Sequence, residues 1–304
     1  MELTGQGTCH GSFGELLQGV LPGRKKFLVN LKIKNTSRAR VHLTPSAYSN
    51  AKEAQFAESY RSYSKSYKVV RNILVDIGRH DDCYLEMESD IPVGKGCSSS
   101  TADMVASIQA LASSLSLALK PNYISRMLTE IEPNDGLHHP GTSAYHHTTG
   151  ELIARFDYVP PLYILGVDFG GMIDTVEFNR TLFTWTEAEM KHYAALLDEA
   201  QKSLREKDID GLCRIATEST LLWQKVNPKH RLESVMQFMR NTGGLGIVNT
   251  HSGTYLGILY QDGVGDLNEV LRNAESAIPN CAMRLFETVS CHAGTTAFAK
   301  EDQP

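Results

Sequence analysis

Residues 92–101, with the sequence P-V-G-K-G-C-S-S-S-T, form a glycine- and serine-rich loop between a predicted strand and a predicted helix. Gly94 and Gly96 allow backbone conformations that bring several N–H groups close to a ligand. The helix that follows directs the positive end of its dipole at the same place, which favours phosphate. The serines at 98–100 add hydroxyl groups that can ligate Mg²⁺ or donate to a phosphate oxygen. The loop therefore predicts a phosphate-binding site, although a serine-capped helix after a glycine turn would show the same residues.

This loop differs from two common nucleotide-binding loops. It matches neither G-x-x-x-x-G-K-[ST] nor G-x-G-x-x-G, so a Walker loop and a Rossmann turn are both excluded. Within it, the side chain of Lys95 has two open interpretations, which are a contact to a phosphate and a solvated surface position.

The elements that must position the loop follow from hydrophobic periodicity. Met104, Ile108, Leu111 and Leu115 recur at spacings of four, three and four, which predicts a helix with one buried face directly after the loop. Alternating or β-branched runs predict strands at 11–15, 27–31, 39–43, 83–88, 152–156, 162–168, 255–260 and 295–298. Helical patterns occur at 69–77, 122–131, 186–197, 210–225 and 267–277, the third opened by a capping box at 186–189. The mixture predicts an α+β protein.

Composition excludes several function classes. The chain has 304 residues, 41% of them hydrophobic and 21% charged, which is typical of a globular protein of two domains. A net charge of -5 gives no general attraction for nucleic acid or an anionic membrane. The six cysteines contain no C-x-x-C pair, and we find no signal peptide or apolar run of membrane-spanning length. We therefore expect a cytoplasmic protein with no nucleic-acid or membrane partner.

Three segments in order along the chain resemble the motifs of the GHMP kinases. They are G-S-F-G-E-L-L-Q-G at 11–19, the loop at 92–101, and the glycine-containing stretch at 244–257. The loop departs from the family pattern at Cys97, Ser98 and Thr101, where leucine, glycine and a small residue are usual. The resemblance implies a two-domain α+β fold, with an S5 domain 2-like ATP-binding domain over 1–155 and a ferredoxin-like domain over 156–304. ATP and the acceptor would meet in the cleft between them.

A narrower resemblance concerns residues 132–135. The sequence E-P-N-D is similar to the E-P-T-D segment of the L-threonine kinases of cobalamin side-chain assembly, as are G-E-L-L-Q-G and the triplet at 251–253. Asn134 and the residues at 10–13 depart from that pattern. The resemblance implies phosphorylation of the side-chain hydroxyl of a free amino acid, L-threonine first. A homoserine- or serine-type kinase, another small-alcohol kinase and a non-catalytic metabolite-binding relative stay open.

The resemblance also implies the roles of individual residues. Ser100 and Glu132 would hold Mg²⁺, and Asp135 would act as the base for the acceptor hydroxyl or hold an ammonium group. The expected nucleotide contacts are Pro92, Gly94, Lys95, Gly96, Cys97, Ser98, Ser99, Ser100, Thr101 and, in an adenine pocket with Tyr63 and Lys65, Asn72. The expected acceptor contacts are Ser12, Glu15, Asp135, His251, Ser252 and Gly253. The predicted partners are ATP and a small amino acid, with a homodimer left open.

A histidine-rich segment at 138–147 contains four of the eleven histidines: His138, His139, His146 and His147. Imidazoles are good zinc ligands, but no cysteine or acid completes a recognisable spacing. A zinc site, the rim of the active site and a plain loop therefore all stay open. The resemblance places a late loop with His292 and Gly294 near the acceptor.

Overall fold

The computed structural model describes residues 2–44, 62–171, 183–261 and 266–289. In chain order the elements are β1 (Leu3–Leu21), β2 (Lys25–Thr44), α1 (Ser64–Asp76), β3 (Asp82–Ser89), α2 (Ser99–Leu115), α3 (Pro121–Thr129), β4 (Thr142–His146), β5 (Glu151–Phe156), β6 (Tyr163–Asp168), α4 (Glu187–Glu206), α5 (Ile209–Trp223), α6 (Leu232–Asn241), β7 (Gly246–Asn249), β8 (Tyr255–Tyr260), α7 (Leu267–Ala277) and β9 (Ala282–Glu287). This mixture confirms the α+β prediction.

The strands of the described residues form one antiparallel sheet in the order β5-β4-β2-β1-β7-β8-β6-β9, with β3 also paired to β2. Strands β1–β5 come from the first half of the chain, and β6–β9 come from the second. The two halves meet where β1 pairs with β7, with Glu15 opposite Asn249. The domain boundary between residues 155 and 156 stays a prediction.

The first two strands are longer than the sequence predicts. The runs at 27–31 and 39–43 belong to one strand, β2, which pairs along its length with β1. The register of the pair shifts at several points between His10 and Leu17, which marks β-bulges that bend β1. Gly14 lies in this bend with φ +54, and a Cβ there would lie 2.4 Å from the carbonyl oxygen of Asn249. Glycine at this position therefore lets β1 approach β7.

Helix α2 packs closely on the first two strands. A Cβ at Gly5 or Gly7 of β1 would lie 2.2 Å from a carbonyl oxygen of α2, so both glycines are needed for this backbone approach. Met104, Ile108 and Leu111 are fully buried, as the periodicity predicts. The packing fixes the N-terminus of α2, and hence the glycine-rich loop, against the middle of β1.

Other predicted elements agree or differ in informative ways. The capping box is present: Thr186 Oγ1 accepts from Glu189 N at 3.2 Å, and Glu189 Oε2 accepts from Thr186 N at 2.7 Å. The sequence reading missed β7, β9 and α6, while the predicted strand at 295–298 lies outside the described residues. Within the described helices, none is both long and apolar enough to cross a bilayer.

Candidate active site

The glycine-rich loop ends in an unusual helix N-terminus. Gly94 and Gly96 have φ values of 70 and 82, and Ser98, the residue before the helix, is also left-handed with φ 59. The Ser98 side chain does not cap α2. Its hydroxyl instead lies 2.5 Å from the hydroxyl of Ser12 on β1. The first N–H groups of α2 are therefore left without a side-chain cap, which suits an anionic ligand.

One carboxylate faces this N-terminus and has two partners. Ser100 Oγ donates to Glu132 Oε1, and Lys65 Nζ donates to Glu132 Oε2 at 2.6 Å. The Glu132 side chain is 6% exposed, so its carboxylate is largely shielded from solvent, whereas the Lys65 side chain is 42% exposed. A hydroxyl and a carboxylate are the hard oxygen donors that Mg²⁺ prefers. The donor set of Ser100 and Glu132 therefore fits the ion.

A protein-only metal cage is absent from the part of the chain that the structure describes. No group of three or more His, Cys, Asp or Glu side chains there is arranged to hold a metal ion. Mg²⁺ commonly binds through one or two protein ligands together with substrate phosphates and water. A donor set of one hydroxyl and one carboxylate therefore fits an ion that also binds a nucleotide.

Asp135 lies beside the same helix end. Its Oδ2 accepts a hydrogen bond from Thr101 Oγ1 at 3.1 Å. The residue keeps some exposure within the cavity, but the surrounding protein shields its carboxyl from bulk water. This burial raises the pKa of Asp135, hydrogen bonds from Ser98 and Thr101 oppose the shift, and the charge of Glu132 adds to it. The carboxyl is consequently a stronger base than an exposed aspartate.

Asn134 shapes the turn that carries these two acids. Its backbone N–H donates to the carbonyl of His147 at 3.0 Å, and its side-chain oxygen accepts from Gly136 N at 3.2 Å. Gly136 has φ +64. The departure from the threonine of the E-P-T-D pattern thus places an amide that closes the turn next to Asp135.

Glu15 is a second enclosed carboxyl, and it lines the same cavity as Asp135. It is 2% exposed, and its Oε2 has no hydrogen-bond partner among the described atoms. Burial raises the pKa of Glu15 well above its ordinary value, and the charge of Asp135 adds to this, against a smaller effect of the His251 backbone N–H. Two shielded acids therefore share one small space.

The third glycine-containing segment touches the loop directly. His251 and Ser252 line the cavity. A Cβ at Gly253 would lie 1.9 Å from the carbonyl oxygen of Lys95 and 2.5 Å from the nitrogen of Gly96. Only glycine allows this contact between the two backbones. The structure thus brings together three segments that are far apart in the chain.

The side chain of Lys95 pairs with an acid and is not a freely solvated surface position, while its contact to a phosphate stays a prediction. Its Nζ lies 2.7 Å from Asp168 Oδ2 at the end of β6, and Asp168 Oδ1 accepts from Thr254 Oγ1 at 2.6 Å. Lys229 Nζ also donates to the carbonyl of Gly253. These contacts join the loop at 92–101 to the segment at 250–254. The sequence reading missed Asp168 and Lys229, since neither lies in a recognisable motif.

The structure does not bring every predicted residue into the cavity. Its lining consists of Glu15, Lys65, Gly94, Gly96, Ser98, Ser99, Ser100, Thr101, Glu132, Pro133, Asp135, His147, His251 and Ser252. Asn72 is exposed on α1, Pro92 lies outside the lining, and Cys97 is buried in the core, where burial raises its pKa to about 12. Ser12 reaches the site through Ser98. His292 and Gly294 lie outside the described residues.

The histidine segment is a buried strand and its flanks, so the plain-loop interpretation is wrong. His138 Nε2 lies 2.9 Å from Ser125 Oγ, and the His146 ring donates from Nδ1 to the carbonyl of Lys26 at 2.9 Å. His147 alone of the four lines the cavity. No group of three or more His, Cys, Asp or Glu side chains in the described part of the chain is placed to hold a metal ion, so this segment forms no such site.

Comparisons with known proteins agree with this geometry. Residues 64–142 match the family model described as the GHMP kinases N terminal domain. Over 255 residues the chain is 24% identical to the L-threonine kinase of Salmonella typhimurium, covering 83% of this chain and 81% of that protein. Mevalonate diphosphate decarboxylase from Staphylococcus aureus has a similar fold, with a TM-score of 0.70 at 15% identity over 95% of this chain and 97% of that one. Homoserine kinase from Cytophaga hutchinsonii gives 0.69 at 11% identity over 95% of each chain.

Residues 64–142 match the GHMP kinase N-terminal domain, and this match, together with the L-threonine kinase relatives, supports a phosphotransferase that acts on a hydroxyl group. Its sequence is similar to the L-threonine kinases of Salmonella typhimurium and Citrobacter freundii.

Proposed function

We propose that the protein transfers the γ-phosphoryl group of ATP to the side-chain hydroxyl of a free amino acid, with L-threonine as the preferred acceptor. One observation carries this proposal. Two enclosed carboxyls, Glu15 and Asp135, lie in the same cavity as the N-terminus of α2 and the Ser100–Glu132 pair. The arrangement offers a phosphate site, a metal site and a proton acceptor within one space.

The nucleotide side of the cavity suits phosphates. The N-terminus of α2 and the loop with its left-handed residues Gly94, Gly96 and Ser98 supply N–H groups and a positive dipole end. Ser100 and Glu132 would hold Mg²⁺, which neutralises phosphate charge when bound. Lys65 donates to Glu132 at 2.6 Å and so orients this carboxylate.

The acceptor side suits proton transfer from a hydroxyl. Thr101 and Ser98 orient the Asp135 carboxyl, and its raised pKa brings its basicity closer to that of a working base near neutral pH. The acceptor hydroxyl would donate its proton to Asp135 as its oxygen attacks phosphorus. Catalysis in this reaction class comes mainly from positioning and charge stabilisation, which the crowded cavity supplies.

An amino acid is favoured over other alcohols by the Glu15 carboxyl, which suits an ammonium group. The names of two similar proteins, L-threonine kinase and homoserine kinase, agree with such an acceptor. A cytoplasmic location, which rests on the scattered cysteines without a C-x-x-C pair, and a place in cobalamin side-chain assembly, which rests on the E-P-N-D segment, are part of the same proposal. A homoserine- or serine-type kinase is the alternative.

The test is ADP release with ATP and Mg²⁺ against L-threonine, L-serine, homoserine and mevalonate. We expect the highest kcat/KM with L-threonine. Activity on mevalonate alone would refute the amino-acid assignment. Ser100→Ala and Asp135→Ala variants separate an enzyme from a silent binding protein, because both should lose turnover if the chemistry occurs here.

A further inference from the structure

Three side chains in or beside the cavity carry polar atoms without hydrogen-bond partners among the described residues. They are Oε2 of Glu15, both side-chain atoms of Asn249 and both ring nitrogens of His147. Their exposures are 2%, 1% and 3%. Buried polar groups in native proteins are nearly always paired, so a cluster of unpaired ones needs an explanation. A ligand with matching donors and acceptors supplies it.

Strand pairing places Glu15 and Asn249 next to each other. They are opposite residues of the antiparallel β1–β7 pair, so their side chains share one face of the sheet. On the other side of Glu15, the opposite residue is Asn30 of β2. Asn30 is satisfied, since it donates to Ser143 Oγ and to the Asp135 carbonyl and accepts from Ser143 N. The side chain of Asn30, on the β2 side of Glu15, therefore has its hydrogen-bond partners, whereas the side chain of Asn249, on the β7 side, has none among the described residues.

His147 lies in the same cavity and is held by its neighbours. Its ring packs edge-on against His251, with centroids 5.0 Å apart, and His251 in turn packs on Trp223 at 4.9 Å. His251 Nδ1 lies 2.6 Å from Gln18 Oε1, so this ring is fixed by the protein. His251 thus positions His147, whose own ring nitrogens have no hydrogen-bond partner among the described residues.

The charges of the cavity indicate what the ligand carries. Its lining includes three acids, Glu15, Glu132 and Asp135, and one cation, Lys65, which is paired with Glu132. Two acids are left without a cation, which favours a positively charged group on the ligand. Burial lowers the pKa of His147 well below its ordinary value, so its ring is neutral and keeps one N–H donor.

We propose that Glu15, Asn249 and His147 bind the two charged ends of a zwitterionic α-amino acid. Glu15 accepts hydrogen bonds from the ammonium group, and the Asn249 amide and the His147 N–H donate to the carboxylate. This rests on the proposed function and adds the residues that restrict the acceptor to amino acids, of which His147 lies outside the three motifs. A buried site that pairs with a charged group rejects an analogue lacking it.

The experiment compares kcat/KM for L-threonine, 1-amino-2-propanol, which lacks the carboxylate, and 3-hydroxybutyrate, which lacks the ammonium group. We expect His147→Phe and Asn249→Leu to lower the value for L-threonine by about 10- to 100-fold and that for 1-amino-2-propanol by less than about threefold. Glu15→Gln should lower the value for L-threonine similarly and leave 3-hydroxybutyrate within about threefold. His10→Phe, which removes a buried ring nitrogen outside the cavity, is the matched control.

The outcomes separate the two proposals. If the wild type does not phosphorylate L-threonine, the proposed function is wrong, and this assignment with it. If the wild type phosphorylates L-threonine and the variants keep the wild-type ratios of kcat/KM between the three acceptors, only the assignment of Glu15, Asn249 and His147 is overturned. Should His147→Phe not fold, His147→Gln replaces it. Its amide retains an N–H donor, so it should preserve part of the preference for L-threonine over 1-amino-2-propanol, and a complete loss of that preference would contradict a donor role.

Discussion

Replacing Asp135 with asparagine tests the assignment of the base while changing very little of the site. The variant keeps the size of the side chain and an oxygen that can accept the hydrogen bond that Thr101 Oγ1 donates to the wild-type carboxyl at 3.1 Å. It removes the ability to take a proton. Because the carboxyl is shielded and its pKa is already raised by burial, losing its charge should not destabilise the fold.

The magnitude follows from the role. A positioned general base contributes about 10²- to 10⁴-fold to the rate, which corresponds to about 2.7–5.4 kcal/mol of activation free energy. We therefore expect kcat of Asp135→Asn to fall at least about 100-fold with L-threonine, while KM changes by less than about threefold. The circular dichroism melting curve should match that of the wild type.

The assay is ADP release at saturating ATP and Mg²⁺, with kcat and KM for L-threonine measured between pH 5 and 9. Protonated Asp135 cannot act as a base, so wild-type kcat/KM should fall as the pH drops through the raised pKa of this group. Asp135→Asn should lack this acid limb. Thr101→Val removes a hydrogen bond that lowers the Asp135 pKa, and should move the limb to higher pH.

A different result would assign Asp135 another role. If kcat stays within about threefold of the wild type while KM for L-threonine rises at least about tenfold, Asp135 orients the acceptor and is not the base. If neither parameter changes, the residue is outside the reaction altogether, and the proposed arrangement of the acceptor is wrong.

Three further predictions concern the metal, the buried acid and the contact between loops. Glu132→Gln should raise the Mg²⁺ concentration for half-maximal activity at least about tenfold, measured by titration with Mg²⁺ at fixed ATP; an unchanged value would exclude Glu132 as a ligand. Glu15 has a folded-state pKa above its unfolded value, so its contribution to stability is present at low pH and lost as the pH rises; Glu15→Gln should therefore raise the melting temperature at pH 8 and not at pH 5, and equal shifts at both would contradict this. Asp168→Asn breaks the ion pair with Lys95 and should raise KM for ATP at least about threefold, with KM for L-threonine unchanged. Gly253→Ala should lower activity far more, because its Cβ would lie 1.9 Å from the Lys95 carbonyl oxygen. An active Gly253→Ala enzyme would show that the two loops separate.

Some predictions from the sequence were wrong for reasons that lie in long-range pairing. The runs at 27–31 and 39–43 belong to one strand because β1 pairs with β2 along its length. The local sequence pattern of β2 does not reveal that β1 is its partner. The sequence left the histidine segment open between a zinc site, the rim of the active site and a plain loop, yet residues 142–146 form a buried strand in which the His146 ring bonds to the Lys26 carbonyl of β2. Polar residues satisfied by distant partners do not show the alternation that identifies a strand.

The sequence by itself determined the α+β class, the helix that follows the glycine-rich loop, the capping box at Thr186 and the order of the three motifs. These features depend on local periodicity and on short-range hydrogen bonds, which adjacent residues specify. Only the tertiary structure decided that Glu15 lies beside Asn249, that Lys95 pairs with Asp168 and that His147 faces the cavity. Those contacts depend on strand register and on backbone approach at glycines such as Gly14, and neither is set by the residues next to them in the chain.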